Sequence, residues 1–190
     1  CQRLPPEAVM LRHIPNIISV LRILLVIPVA WALLEERYGL GLALFAVAGI
    51  SDALDGFLAK TFGWQSRLGG FLDPLADKLL LVTGFLSLGW LGLIPWWLVG
   101  LVILRDVIIV AGATVYHFRV GRFEAAPTLV SKLNTTMQIL LVIIVVVDGG
   151  LYVMPVWFIP AMVGVVSLTT VLSGVNYVYD WGRRARQHGA

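Results

Sequence analysis

Six stretches of about 20 mostly apolar residues follow one another along this chain, and they constrain its fold more than any other feature. A helix of about 20 apolar residues crosses the roughly 30 Å hydrocarbon core of a bilayer. The stretches run approximately over Ile14–Leu34, Leu40–Thr61, Gly70–Leu93, Pro95–Tyr116, Leu129–Val147 and Pro155–Tyr177. Because backbone polar groups in lipid must be hydrogen-bonded within the protein, these stretches are predicted to be helices. We therefore expect an all-α, polytopic membrane protein with six transmembrane helices.

The composition supports this class and excludes others. Hydrophobic residues make up 59% of the 190 residues and charged residues only 13%, whereas soluble domains carry about 25% charged residues. The mean hydropathy of +0.90 excludes a disordered chain or an ordinary soluble domain. The single cysteine, Cys1, excludes a disulfide framework and a cysteine-based zinc cluster.

The basic residues predict the orientation of the helices. Nine of them lie in the two termini and in the second and fourth connections: Arg3, Arg12, Lys60, Arg67, Arg119, Arg122, Arg183, Arg184 and Arg186. The opposite connections hold only Arg37. Since lysine and arginine accumulate on the cytoplasmic side of a membrane, both termini are expected there, or on the matrix side of a mitochondrial inner membrane. The net charge of +3 is explained by topology, and nucleic acid is not an expected partner.

The chain is expected to form one catalytic domain, residues 12–182, between two tails. Residues 1–11 are the N-terminal tail, and the part before Met10 is left out of the fold argument as a processed end or a non-native extension. Residues 183–190 form a basic C-terminal tail.

Four aspartates lie close together where charge is costly. Asp52 and Asp55 occur near the end of the second stretch, and Asp73 and Asp77 near the start of the third. A charge at mid-membrane costs about 2.5–3.5 kcal/mol on insertion scales, so such residues are functional candidates. Spacings of three and four residues place each pair on one helix face. A short hairpin between the two helices predicts that all four carboxylates converge in the inner half of the membrane.

The spacing alone leaves three interpretations open. Carboxylate oxygens suit hard divalent cations such as Mg²⁺ or Mn²⁺. A structural salt-bridge network with Lys60, Arg67, Lys78 and Arg105 is the second interpretation, and a proton or ion path is the third. Gly56 and Ala59 share the acidic face and leave room for a bulky ligand, which favours the first interpretation over the second, although small residues also serve helix packing.

The segment from Asp52 to Asp77 resembles the signature of the CDP-alcohol phosphotransferases, D-x2-D-G-x2-A-R-x8-G-x3-D-x3-D. Seven of the eight fixed positions match, including Gly56, Ala59 and Gly69. Lys60 replaces the arginine of the pattern, which keeps the charge but loses the bidentate fork. The six-stretch layout also resembles that family.

The resemblance implies a divalent cation, Mg²⁺ or Mn²⁺, held by Asp52, Asp55, Asp73 and Asp77, with Asp77 as the general base. It also implies that the acceptor hydroxyl attacks the lipid-side phosphorus of a CDP-linked lipid and expels CMP. The residues that the resemblance implies for binding CDP-diacylglycerol are Asn16, Gly56, Ala59, Lys60, Ser66 and Gly69. For Arg22, in the first stretch, a functional role and a structural pairing role are both open.

The acceptor is predicted from a finer resemblance. The segments LILRDVIIVAGATVYHFR and PTLVSKLNTTMQ are similar to the eukaryote-type cardiolipin synthases, which favours phosphatidylglycerol as acceptor. Arg67, Arg105 and Lys132 are candidates for binding the acceptor phosphate, and pairing with acids is the other interpretation of Arg105. The alternatives are a phosphatidylglycerophosphate synthase, which uses glycerol 3-phosphate, or another CDP-alcohol phosphotransferase.

Two interpretations from other classes are an ion or proton transporter and a non-catalytic scaffold. The outer halves of the six stretches are almost purely apolar, which argues against a transport path. The resemblance further implies a homodimer in contact with membrane lipids, in a bacterial or mitochondrial inner membrane, with its active site on the side of the two termini.

Overall fold

A computed structural model describes the backbone of residues 14–62, 69–120 and 128–188, and the side chains of residues 17–52, 54, 75–112 and 128–179. Every regular element in these ranges is an α-helix, as the sequence predicts. The six helices are α1 (Ile14–Leu34), α2 (Tyr38–Phe62), α3 (Gly69–Trp90), α4 (Trp96–Val120), α5 (Leu129–Gly150) and α6 (Phe158–His188). The last helix continues well beyond the apolar stretch that predicted it.

Three of the helices are long and apolar enough in the described ranges to cross a membrane. These segments are Ile17–Leu34, Leu129–Gly150 and Phe158–Tyr179, while α2 contributes a shorter apolar piece, Tyr38–Asp52. The other helices are α2, with Asp52 and Asp55, α3, with Asp73 and Asp77, and α4, with Asp106. The structure therefore confirms an all-helical chain with membrane-spanning capacity, and six crossings stay a prediction.

Large apolar side chains remain exposed along the helices. Ile27 of α1 is 69% exposed, and Leu168 and Val175 of α6 are 61% and 62% exposed. Large exposed apolar side chains on helices of this composition fit contact with a membrane or a partner. Together with the apolar spans, this surface supports a membrane protein whose exposed helix faces contact lipid.

The chain divides into two compact units. The first contains residues 1–87 and 146–152, and so holds α1, α2, most of α3 and the end of α5. The second contains residues 88–145 and 153–190, and so holds the end of α3, α4, most of α5 and α6. Each unit has its own buried apolar core, with Val29, Leu33 and Phe85 in the first and Leu98, Leu141 and Val166 in the second.

In the first unit, α1 and α2 form a tightly packed pair. A side chain on Gly41 would bring its Cβ to 2.8 Å from Cδ2 of Leu33, closer than real Cβ contacts occur. At the end of α5, a Cβ on Gly150 would lie 2.6 Å from Cβ of Tyr38. Glycine at these two positions allows the start of α2 to approach both neighbouring helix ends.

Helices α1 and α3 end in the same hydrogen-bonded motif. After α1, Glu36 N–H donates to the carbonyl of Leu33 (2.9 Å) and Arg37 N–H to that of Ala32 (2.8 Å). After α3, Gly92 and Leu93 make the corresponding bonds to Gly89 and Leu88, of 3.1 and 3.0 Å. This is the Schellman motif, in which the residue after the helix adopts a left-handed conformation, and the φ angles of Glu36 and Gly92 are +56° and +72°.

Candidate active site

Two of the four predicted aspartates meet on one arginine in the first unit. Nη1 of Arg22 donates to Oδ1 of Asp52 at 2.6 Å and to Oδ1 of Asp77 at 2.8 Å. The three residues come from α1, α2 and α3, and Arg22 is separated in sequence from the aspartates by 30 and 55 positions. The structure thus brings Asp52 and Asp77 together, as the hairpin argument predicts for adjacent helices.

The three side chains differ in their access to the outside. The side chain of Arg22 is completely buried, whereas those of Asp52 and Asp77 are 43% and 46% exposed. The carboxylates therefore present part of their surface to an incoming ligand, and the arginine supports them from the protein interior. A buried guanidinium is sustainable here because the two carboxylates neutralise its charge.

For most of the other residues predicted for this site, the structure describes the backbone but not the side chain. The backbone of Asp55, Gly56, Ala59 and Lys60 continues α2, and that of Asp73 belongs to α3, which begins at Gly69; Asn16 lies in α1. The side chains of these residues lie outside the described ranges, as do Ser66 and Arg67 altogether. Their predicted roles stay predictions.

The donor chemistry of the described residues suits a hard divalent cation. Asp52 and Asp77 offer carboxylate oxygens, which Mg²⁺ and Mn²⁺ prefer as ligands. Among the described side chains, no group of three or more potential metal-binding residues comes together. The side chains of two candidate ligands, Asp55 and Asp73, lie outside the described ranges. The carboxylates of the other two, Asp52 and Asp77, fit the ligand preference of Mg²⁺ and Mn²⁺.

An apolar groove shares Arg22 with the acidic pair. A cavity of about 480 Å³ is bounded by α1 and α2 and has Arg22 and Ser51 in its wall. The rest of its lining is apolar: Ile18, Leu21, Leu24, Leu25, Pro28, Val47 and Leu54. Arg22 therefore belongs both to the wall of this groove and to the contact between the two carboxylates.

The second unit contains its own buried arginine. Arg105 of α4 is only 5% exposed, and its Nη1 donates to Oδ1 of Asp106 at 2.7 Å. Its Nη2 donates to the hydroxyls of Ser131 and Ser173, at 2.6 and 2.7 Å. The guanidinium also lies 6.0 Å from the ring centre of Tyr177. Arg105 therefore joins α4, α5 and α6, in agreement with the pairing interpretation, while its predicted contact with an acceptor phosphate stays a prediction.

The other acceptor candidate in this unit is placed differently. Lys132 of α5 is exposed, so its ammonium group is accessible. Two positions further along, Asn134 is fully buried, and its Oδ1 accepts hydrogen bonds from the hydroxyls of Thr169 and Thr170, at 3.0 and 2.9 Å. Polar contacts thus connect α5 with α6.

The sequence argument did not identify the hydroxyl partners Ser131, Thr170 and Ser173. Serine and threonine are common in apolar helices, where they often bond to their own backbone, so their presence alone carries little information. A usable signal is the spacing of Thr170 and Ser173, which puts two small polar groups on one face of an otherwise apolar helix. Arg22 was noticed, but its partners were left open.

Comparison with known proteins agrees with the geometry. The family described as CDP-alcohol phosphatidyltransferase matches residues 12–175. A cardiolipin synthase (CMP-forming) of Rattus norvegicus is 33% identical over 92% of this chain and 63% of its own length, and the Homo sapiens protein of the same name gives the same figures. A probable phosphatidylglycerophosphate synthase of Mycobacterium tuberculosis is 33% identical over 87% of this chain and 81% of its own length.

The chain thus spans slightly less than two thirds of the rat and human relatives. The family match, by contrast, includes all three residues of the Arg22–Asp52–Asp77 contact and extends through most of α6. The resemblance that the aspartate spacing indicated is confirmed, and the chain belongs to the CDP-alcohol phosphatidyltransferase family.

Proposed function

We propose that this protein transfers the phosphatidyl group of CDP-diacylglycerol to the hydroxyl of phosphatidylglycerol, which gives cardiolipin and CMP. The observation that carries the proposal is the convergence of Asp52 and Asp77, half-exposed, on adjacent helices at two positions of the family signature. The relatives named cardiolipin synthase support the choice of acceptor.

In the proposed reaction, the acceptor oxygen forms a bond to the lipid-side phosphorus while the bond from that phosphorus to the CMP oxygen breaks. Asp77 takes the proton of the acceptor hydroxyl, a role that a positioned carboxylate can fill. Asp52, Asp55, Asp73 and Asp77 would hold Mg²⁺ or Mn²⁺, which supplies charge neutralisation at the diphosphate. Phosphoryl transfer depends mainly on positioning and on such neutralisation.

The donor has two hydrocarbon chains, and the groove between α1 and α2 supports a lipid substrate. Its wall is mostly apolar and includes Arg22, the residue that bonds both carboxylates, so we propose that a lipid tail in this groove places the headgroup near the acidic pair. Asn16, Gly56, Ala59, Lys60, Ser66 and Gly69 complete the proposed donor site. Arg67, Arg105 and Lys132 are proposed to attract the acceptor phosphate.

The proposed enzyme crosses the membrane six times as a homodimer, with both termini and the active site on the cytoplasmic or matrix side. The three apolar helices support a location in the membrane, and the distribution of basic residues supports the proposed orientation. Labelling of single cysteines placed at Glu35 and at the C-terminus, with a membrane-impermeant reagent, tests the orientation. Labelling of both positions from the same side would contradict it.

A second acceptor is supported by a specific observation. The mycobacterial relative named as a probable phosphatidylglycerophosphate synthase matches over 81% of its own length, a larger share than for the rat and human relatives. Glycerol 3-phosphate is therefore the competing acceptor for the same chemistry.

One assay distinguishes these possibilities. The full chain, purified in detergent, is supplied with CDP-diacylglycerol and Mg²⁺ or Mn²⁺, and CMP release is followed with either phosphatidylglycerol or glycerol 3-phosphate. We expect CMP and cardiolipin with phosphatidylglycerol. Product with glycerol 3-phosphate alone would overturn the acceptor, and no CMP release with any alcohol would overturn the enzymatic proposal.

A further inference from the structure

Arg22 and the two carboxylates that it bonds differ in their exposure. Its side chain is fully buried, while the side chains of Asp52 and Asp77 keep nearly half of their surface exposed. The exposed part of these three side chains therefore belongs to the two aspartates, which are the groups that the proposed reaction uses.

A single nitrogen atom makes both contacts. Because Oδ1 of Asp52 and Oδ1 of Asp77 lie 2.6 and 2.8 Å from Nη1 of Arg22, the two oxygens cannot be more than 5.4 Å apart, the sum of these distances. Without a cation between them, two carboxylates at such a distance repel each other. The guanidinium thus limits the separation of two groups that belong to different helices.

The chemistry of arginine restricts what this residue can do. A guanidinium has five N–H donors and no acceptor, and it does not lose its proton in proteins. Arg22 therefore can neither act as the base nor bind a metal ion. With both carboxylates ionised, the three side chains keep a formal net charge of −1, so the pair still attracts a cation from its exposed side.

We propose that Arg22 is a positioning residue, which fixes the separation of Asp52 and Asp77 before the divalent cation and the lipid donor arrive. The inference rests on the proposed function, since it assigns the two aspartates to metal binding and to proton transfer. It adds that a residue of α1, a helix outside the aspartate signature, determines the distance between the two carboxylates.

Two substitutions separate the charge of Arg22 from its shape. Arg22→Met removes the charge and keeps an extended side chain. Arg22→Lys keeps the charge but replaces the planar fork with a shorter, rotating ammonium group. Arg37→Met is the matched control, because Arg37 is exposed in the α1–α2 connection, where its guanidinium lies 5.0 Å from the ring centre of Trp31.

The first measurement uses thermal unfolding in detergent, without substrate, as Mn²⁺ is added. In Arg22→Met the two carboxylates lose the positive charge of Arg22, so bound Mn²⁺ should raise Tm by more than it does in the unaltered protein. Arg22→Lys should fall between the two, and Arg37→Met should match the unaltered protein. A residue that serves only for packing would lower Tm equally at all Mn²⁺ concentrations, and that result would overturn the proposal.

The second measurement uses CMP release at saturating Mn²⁺. Misplacement of reacting groups by about 1 Å can lower a rate by about a hundredfold, so kcat should fall by about tenfold to a hundredfold in Arg22→Met. The KM for CDP-diacylglycerol should change by less than roughly threefold, because the contacts that are lost join Arg22 to the two aspartates and not to the donor. Arg22→Lys should recover part of kcat. Full activity of Arg22→Met would contradict the positioning role.

The proposed function and the proposed role of Arg22 can be overturned independently. Absence of CMP release from the unaltered protein overturns the proposed function, whereas the Mn²⁺ dependence of Tm still decides the role of Arg22. If Arg22→Met does not yield folded protein, Arg22→Lys decides by the same two measurements: an unchanged Mn²⁺ response together with an unchanged kcat would overturn the proposal.

Discussion

Glu36 occupies after α1 the same position of the same helix-ending motif that Gly92 occupies after α3. Both have positive φ angles, of +56° and +72°. In each motif the next residue, Arg37 or Leu93, donates a hydrogen bond to the carbonyl five positions earlier. Glycine adopts this conformation without steric cost, whereas other residues lose about 1–2 kcal/mol in it. The two connections are thus built alike, and only one of them carries the residue that suits it.

This difference predicts that substitutions at Glu36 and Gly92 change the stability of the protein in opposite directions. Glu36→Gly should stabilise the protein by up to about 1 kcal/mol, and Gly92→Ala should destabilise it by about 1–2 kcal/mol, because only glycine is unstrained there. Thermal unfolding of the purified variants in one detergent measures both. Loss of stability in Glu36→Gly would show that the glutamate side chain contributes more than its backbone strain costs.

Gly150 should not tolerate a side chain. In Gly150→Ala the new Cβ would lie 2.6 Å from Cβ of Tyr38, and overpacking of this kind typically costs about 1–3 kcal/mol. Gly49→Ala is the control, since nothing lies within 4 Å of its Cβ position in α2, and alanine favours a helix by about 1 kcal/mol over glycine. Equal Tm values for the two variants would contradict the close approach of Tyr38 to the end of α5.

The carboxylates of Asp52 and Asp77 should be required for turnover. Asp77→Asn should lower CMP release by about a hundredfold or more, the usual contribution of a general base, and should leave the protein folded. Asp52→Asn should raise the Mn²⁺ concentration needed for half-maximal activity, because an amide is a weaker ligand than a carboxylate.

Glu35→Gln is the control for both variants, because this carboxylate is exposed in the α1–α2 connection. Size-exclusion chromatography and thermal unfolding establish whether each variant is folded. Retained activity of folded Asp77→Asn would remove this residue as the base.

The contacts of Arg105 predict that Ser173 matters for stability. Ser173→Ala removes the hydroxyl that accepts from both Nη2 and Nε of Arg105, at 2.7 and 3.2 Å. Nη2 keeps its bond to Ser131, whereas Nε loses the acceptor that it has among the described residues, and a buried donor left without a partner costs about 1–3 kcal/mol. Ser167→Ala is the matched control on α6, since the Ser167 hydroxyl donates only locally in this structure, to the carbonyl of Val163 at 2.6 Å. The free energy of unfolding of the two variants should differ by that amount, and equal values would contradict the bonding of Arg105.

The helices follow from the sequence because apolar runs of sufficient length have few other stable forms in lipid. The first was predicted at its observed bounds, Ile14–Leu34. The end of the last was not, since α6 continues to His188. Apolarity reports where a segment can lie in lipid, whereas backbone hydrogen bonding can extend the same helix into water.

The proximity of Asp52 and Asp77 can also be predicted from the sequence, but their contact with Arg22 cannot. Helical spacing and one short connection are sufficient to bring Asp52 and Asp77 together. Arg22 could have met these carboxylates or a substrate, because its place in the sequence fixes the helix that carries it and not the rotation of that helix. Ser131 and Ser173 were missed for the same reason, since the contacts of a hydroxyl depend on how neighbouring helices are rotated.

The bond from one guanidinium nitrogen to two helices has a mechanical consequence. A displacement of α1 along its axis changes the distances from Arg22 to Asp52 and to Asp77 at the same time. Any shift of the first helix is thereby transmitted to both carboxylates together, so the position of α1 and the geometry of the acidic pair cannot change independently.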